Sequence, residues 1–376
     1  MTKRLSACVS GLALLLAACG GSSAPAATGA AQGQAGASSA AAASAGSAAA
    51  KPAASGAGSA AAKVAGSPAP ASGGALRIRV GYASLTGNSS PIYIAEDAGI
   101  FAKNGLSETS SLVSSSPKTI QALVGGDIDY AIVGSSATVQ ADLGGADLSM
   151  IATAAPGLGF RIYAKPPIKT ISDLKGKRIA ESAIGTDPDF ALRLALPRHD
   201  LAYSDVQIVQ LPEGGDSARL AALSAGSADA AILTGGSFGK ADGLKLNLVL
   251  DIGKENITYE QATVAVNRKW VAVHPEETAR YLRSFTQAIQ FMQANRDQTL
   301  PILKKYMKVD DPLVLAETYD TSNILKVKGL PFVSEPGVQS MIDLVATKNP
   351  AAKGKKAADY IDSSFLRKLE AEGFKG

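Results

Sequence analysis

The run Ser90-Pro91-Ile92-Tyr93-Ile94-Ala95-Glu96-Asp97-Ala98-Gly99-Ile100-Phe101-Ala102-Lys103-Asn104-Gly105-Leu106 decides the fold. Just before it, Leu76 to Tyr82 alternates well enough for a strand, with Arg77 and Arg79 on one face. Thr86-Gly87-Asn88-Ser89 reads as a turn, and Ser90-Pro91 as an N-cap followed by Pro at the first helical position. The helix then runs through Ile94 and stops near Gly99 or Gly105. Working outward, Ser116-Pro117 repeats the cap-plus-Pro signal and opens a helix that ends at Gly125-Gly126. Tyr130 to Val133 is a short strand leading into Gly134-Ser135-Ser136 and another helix. Asp187-Pro188 caps a helix closed by Pro197, and Val206 to Gln210 and Ala228 to Leu233 read as further strands. Strands alternating with helices of this length predict parallel α/β units.

An internal echo supports two such sets. Adding 100 to residue numbers aligns Ala122-Leu123 with Ala222-Leu223, Gly126 with Gly226, Asp129 with Asp229, and Ala131-Ile132 with Ala231-Ile232. Each copy reads as a helix end, a Gly turn, an Asp, a buried strand and a Gly/Ser loop. Six matches are also within reach of coincidence between two Ala-rich units. The functional reading is two lobes on related plans with a cleft between them.

The chain has 376 residues and a formal net charge of +4. Residues 1–74 hold Lys3, Arg4, Lys51 and Lys63 and no acid, which leaves the remainder formally neutral. That argues against nucleic-acid binding, which needs a basic face. Both cysteines, Cys8 and Cys19, lie in the first twenty residues, so the body can hold no disulfide framework or catalytic cysteine. Lys3-Arg4 followed by the apolar run Val9 to Ala18 reads as a secretory signal, being too short to span a bilayer. Leu16-Ala17-Ala18-Cys19 resembles the lipobox of bacterial lipoproteins, in which the cysteine is lipidated after cleavage before it. From 20 to 74, 49 of 55 residues are Ala, Gly, Ser or Pro, a composition that predicts a disordered tether. The expected organisation is a signal peptide over 1–18 and the lipidated Cys19 with its tether over 19–74.

Val80-Gly81-Tyr82 together with the Pro91 to Leu106 run closely resembles the opening of bacterial ABC-transporter solute-binding proteins. The branch is the one that takes up sulfonates, nitrate and thiamine-precursor pyrimidines, the NMT1/THI5-like branch. Gly125-Gly126-Asp127-Ile128-Asp129 is similar to its next motif, and Ile171-Ser172-Asp173-Leu174-Lys175-Gly176-Lys177-Arg178-Ile179-Ala180 to the start of its second lobe. The resemblance implies an α/β, two-lobed periplasmic-binding-protein type II fold. Each lobe is a mixed, mainly parallel sheet flanked by helices, with two crossover strands as hinge. Mapped onto this sequence, the resemblance implies that lobe one takes 75–160 plus 264–376 and lobe two 161–263. It implies a small-molecule ligand, an ABC-transporter permease as partner, export and lipid anchoring on the outer face of the cytoplasmic membrane. A monomer without cofactor or metal is expected.

In such a sheet the ligand sits beyond the C-terminal strand ends, where helix N-termini offer free N–H groups. Four loops at these ends are rich in hydroxyls and glycine. The candidate binding residues are Ser84, Leu85 and Ser90; Ser135 and Ser136; Ser182, Ile184, Gly185, Thr186 and Asp187; and Gly236, Ser237 and Phe238. Taken singly, Ser90, Ser136 and Asp187 read better as helix caps, whereas the four loops taken jointly read as converging on one cleft. Arg161 favours an anion, whereas Glu181, Asp187 and Asp189 favour a neutral or cationic solute. Phe160, Phe190 and Phe238 are candidate ring-stacking or core residues, and Trp270 is a candidate near the second crossover.

The alternative is a serine hydrolase. Gly235-Gly236-Ser237-Phe238-Gly239 fits the nucleophile-elbow pattern, with Asp251 and His274 following in order. Against it, Gly243 and the strand-like Leu246 to Leu250 leave room for barely a turn of helix after Ser237, and His274 reads as the start of the next helix.

Overall fold

The computed structural model describes residues 74–375 except 213. The expected signal peptide, Cys19 and the tether up to residue 73 lie outside the described residues.

Ten strands form two sheets: β1 (Leu76–Tyr82), β2 (Leu106–Leu112), β3 (Tyr130–Gly134), β4 (Leu148–Pro156), β5 (Phe160–Ala164), β6 (Arg178–Glu181), β7 (Gln207–Gln210), β8 (Ala230–Thr234), β9 (Asn247–Asp251) and β10 (Glu260–Asn267). The first sheet has the order β2-β1-β3-β10-β4 and the second β7-β6-β8-β5-β9. In each, the three strands at one side are parallel and the fourth runs against its neighbours. That fourth strand, β10 or β5, is the one arriving from the other body. The chain changes sheet between Pro156 and Phe160 and returns between Asp251 and Glu260.

The internal echo extends to side chains. Arg79 binds the Asp129 carboxylate through Nε (3.2 Å) and donates to the Gly126 carbonyl (2.6 Å). Arg178 does the same to Asp229 (3.0 Å) and Gly226 (2.9 Å). Gly126 and Gly226 both have φ of +78°, the left-handed position that ends a helix without steric cost to glycine. Each sheet thus locks one parallel strand, β1 or β6, to the turn that precedes its neighbour, β3 or β8.

Proline sets the helix starts one residue off from the sequence reading. The helices Ser90–Asp97, Ser116–Gly125 and Asp187–Ala195 all carry Pro at their second residue, so Ser89, Ser115 and Thr186 are the N-caps. None of the three caps through its side chain. The first helix ends at Asp97, and Gly99 (φ +66°) turns the chain into the short helix Ile100–Lys103 before Gly105 (φ +71°) admits β2. Both glycine stops are therefore used.

The 20-residue helix Pro275–Ala294 covers the first sheet with a buried stripe of Leu282, Phe285, Ile289 and Met292. Each such side chain contributes roughly 1.5–3 kcal/mol on burial. The second core joins Ile162, Ile179, Leu192 and Ile232 to Val338, Met341 and Ile342 of the helix Glu335–Ala346. Among the described residues no helix is long and apolar enough to cross a membrane.

Candidate functional site

The strand ends of the two sheets face one another across a cavity of about 170 Å3. Parallel strands deliver their C-terminal ends here: β1 through Ala83-Ser84, β3 through Gly134 and β8 through Thr234-Gly235. The antiparallel strands deliver their starts, Phe160 of β5 and Gln261 of β10. Register explains the meeting, since Phe160 lies opposite Thr234 and Ala262 opposite Gly134. The last wall comes from Thr318, Thr321, Ser322 and Asn323, far along the chain.

The two bodies touch around this cavity. Tyr259 donates its hydroxyl to Asp187 Oδ1 (2.8 Å), and Ser136 binds the same carboxylate through its hydroxyl and backbone N–H. Gln140 donates to the Gly185 carbonyl (2.8 Å), and the Gly239 N–H to Glu317 Oε2 (2.8 Å). Glycines make the close approach possible. A Cβ on Gly134 would overlap Asp187 Oδ2, and one on Gly235 would overlap Thr321 Oγ1. Gly236 has φ of +88° and packs against Thr318.

Burial pushes the Asp187 carboxyl up to about 7, against the opposing hydrogen bonds from Tyr259 and Ser136. Tyr259 itself is raised by burial and by the neighbouring carboxylate. Behind the same loop, Glu181 ends β6 fully buried, with neither carboxylate oxygen hydrogen-bonded. Burial and Asp189 raise it to about 8. At the hinge, Glu260 is fully buried, accepts from Thr153 (2.5 Å) and from the Ser334 N–H (2.9 Å), and is raised by burial to about 8.

Of the candidate binding residues, Ser84 and Asp187 line the cavity. Ser90 is fully buried with its hydroxyl unpartnered and does not line the cavity. Ser135 is buried and donates to the Glu260 carbonyl, tying a helix start to the hinge strand. Ser136 acts through Asp187. Ser182 and Thr186 hydroxyls lie 3.3 Å apart, and Thr186 donates to the Ala183 carbonyl (2.5 Å). Gly185 donates its N–H to Asp189 (2.8 Å), while Ile184 is exposed. Leu85 packs against the first core, and Gly236 and Ser237 lie at the start of the helix Phe238–Gly243. Phe238 is buried, tilted against Tyr163 at 6.0 Å, with the Arg161 guanidinium 4.3 Å over its ring. Phe190 is core, Phe160 lines the cavity, and Trp270 stacks on His274.

The loops named from the sequence are those at the cavity, but the lining residues are mostly their neighbours: Thr86, Asn88, Ser89, Ser116, Gly134 and Gly235. The one-residue shift at each Ser-Pro or Asp-Pro start accounts for part of this. Ser116 and Asp187, freed from capping, turn inward; Ser116 Oγ accepts from the Gly134 N–H (3.1 Å). Gln261 carried no sequence signal, and the Thr318 to Asn323 wall only a polar composition.

The hydrolase constellation does not assemble. Asp251 binds Arg161 Nε (2.9 Å), and His274 Nδ1 pairs with the Trp270 carbonyl (2.8 Å) beside the first sheet. The helix after Ser237 has six residues. Arg161 is likewise engaged, by Asp251 and Phe238, and does not line the cavity.

Residues 86–299 match the family model described as NMT1/THI5 like, more than half of the chain. A protein of Brucella abortus (strain 2308), provisionally named a binding protein, is 29% identical over 247 residues, covering 65% of this chain and 75% of its own. One from Bacillus subtilis (strain 168), provisionally named an aliphatic sulfonates-binding protein, is 24% identical over 80% of this chain and 90% of its own. The fold is shared with the alkanesulfonate-binding protein SsuA from Xanthomonas axonopodis pv. citri bound to MOPS. The TM-score is 0.63 at 21% identity, over 77% of this chain and 99% of that one.

Proposed function

The chain belongs to the NMT1/THI5-like family, and from that premise we propose that it is the extracytoplasmic solute-binding receptor of an ABC importer and not an enzyme. It captures a small solute between its two sheets and delivers it to a membrane permease. The observation that carries the reading is the cavity, walled by strand ends of both sheets and bridged by Tyr259, Ser136 and Asp187. Closure works by population shift, since a solute touching both bodies favours the closed form. The cavity is small beside the roughly 300–1,000 Å3 typical of drug-sized ligands, which suits a compact solute.

In this reading the two lobes follow the two sheets, and the protein is exported, lipid-anchored through Cys19 and monomeric. The Cys19 assignment is tested by Cys19→Ser, which moves the protein from the membrane fraction to the soluble one; retention on the membrane overturns it.

The receptor reading is tested by thermal unfolding of the full-length chain against a panel of small solutes, with a p-nitrophenyl ester assay on the same sample. A solute at 100 times its dissociation constant stabilises by about 2.7 kcal/mol. A selective rise in melting temperature without turnover is expected. Turnover that disappears in Ser237→Ala would overturn the reading.

A further inference from the structure

Among the described residues lining the cavity one side chain is ionisable, and it is an acid. Among the described residues lining it there is no Arg, Lys or His; apart from Asp187 the polar wall is hydroxyls, side-chain amides and backbone. The arginines of the second body are taken. Arg161 pairs with Asp251 (2.9 Å), Arg193 with Asp189 (3.0 Å) and Arg219 with Asp216. A second carboxylate, Glu317, stands on the helix that supplies Thr318 and bonds the Gly239 N–H.

Helix starts around the cavity favour an anion on general grounds. Here the chain supplies that anion itself. Asp187 opens its own helix, whose first turn also carries Asp189. It also accepts from the backbone N–H of Ser136, at the start of the facing helix Ser135–Leu143. The position a bound anion takes at that helix start is filled by a side chain of the other body.

We propose that Asp187 determines the chemical class of the solute: the site takes a compact neutral or cationic molecule that presents a hydrogen-bond donor to this carboxylate, and rejects sulfonates and nitrate that carry no donor. The proposal rests on reading the cavity as the solute site. An ionised sulfonate offers only acceptors, so above pH 7, where the Asp187 carboxyl has given up its proton, it meets like charge and finds no donor on that side chain. An amine, amide or hydroxyl instead completes the coordination of the carboxylate. The preference thus differs from the substrate printed in the names of the sulfonate-binding relatives.

The test is a thermal-shift screen at pH 8.5, where Asp187 is ionised, of the full-length protein, wild type and Asp187→Asn. The probes are ethanesulfonate, butanesulfonate, nitrate, putrescine, cytosine and a set of small amides and polyols, with dissociation constants by calorimetry for every hit. The expected result is binding confined to donor-bearing probes, weakened at least tenfold in Asp187→Asn. Binding of ethanesulfonate, butanesulfonate or nitrate by the wild type, unchanged or tightened in Asp187→Asn, overturns the proposal while leaving the receptor reading in place. Silence of every probe overturns the receptor reading and this proposal with it. The wild-type ranking decides the point by itself should Asp187→Asn fail to fold.

Discussion

Asp187 of the second body rests directly on the backbone of Gly134 of the first, with no room for a side chain between them. Gly134 has φ of −59° and ψ of 134°, a conformation open to any residue, so glycine is required there for space and not for backbone freedom. Asp187 cannot yield freely, because Tyr259 and Ser136 hold its carboxylate. Gly134→Ala is therefore expected to hold the two bodies apart while each stays folded. Small-angle scattering should show a larger radius of gyration with unchanged circular dichroism. An unchanged radius would mean that the contact does not limit closure.

Ser135 was expected to touch the solute, and its hydroxyl is instead spent on the Glu260 carbonyl inside the hinge. Ser135→Ala leaves a buried acceptor short of a donor, at a cost of about 1–3 kcal/mol. The melting temperature should fall by a few degrees, with solute affinity unaltered once the protein is folded. A loss of affinity at unchanged stability would return Ser135 to the binding site.

Three acids, Asp187, Glu181 and Glu260, are held by burial at about 7, 8 and 8. In the unfolded chain they release protons near pH 4. Between about pH 4 and 8 the unfolded state therefore binds fewer protons, and their contribution makes stability fall as pH rises. The melting temperature is expected to decline from pH 5 to pH 8 and level off above about pH 9. Glu260→Gln, neutral at every pH and still able to bond Thr153 and Ser334, should flatten part of the decline. The same slope in the variant would remove Glu260 from the account.

The paired clasps Arg79–Asp129 and Arg178–Asp229 differ in exposure. Asp129 is 5% exposed and Asp229 24%. Breaking the more buried pair strands more polar surface, so Asp129→Asn should destabilise more than Asp229→Asn in urea unfolding. Arg178 draws the Asp229 carboxyl down to about 2. The stability from that pair is present above about pH 4 and lost as pH falls through 2. Equal destabilisation by the two substitutions would show that burial does not separate the clasps.

Much of the fold was legible because its signals are local. Pro after Ser90, Ser116 and Asp187 marks a helix start each time, and Gly99, Gly105, Gly126 and Gly226 stop or turn the chain because only glycine adopts positive φ cheaply. The alternation of strand and helix and the echo between the Asp129 and Asp229 segments follow from the same short-range rules. The site was legible as four loops and not as a set of side chains. Which hydroxyl turns inward depends on whether the N-cap is Ser89 or Ser90, a shift of one residue that rotates a side chain by about 100°.

The sequence alone determined an alternating α/β chain with two related stretches and the loops at their strand ends, since hydrophobic period, proline and glycine act within a few residues. Only the tertiary structure decided that Asp187, Tyr259, Ser136 and Gly134 form one junction, that Thr318 to Asn323 completes the wall, and that Arg161 turns away to Asp251. Those contacts join residues tens to hundreds of positions apart. They exist because two closed sheets bring strand ends face to face, a geometry that no local pattern encodes.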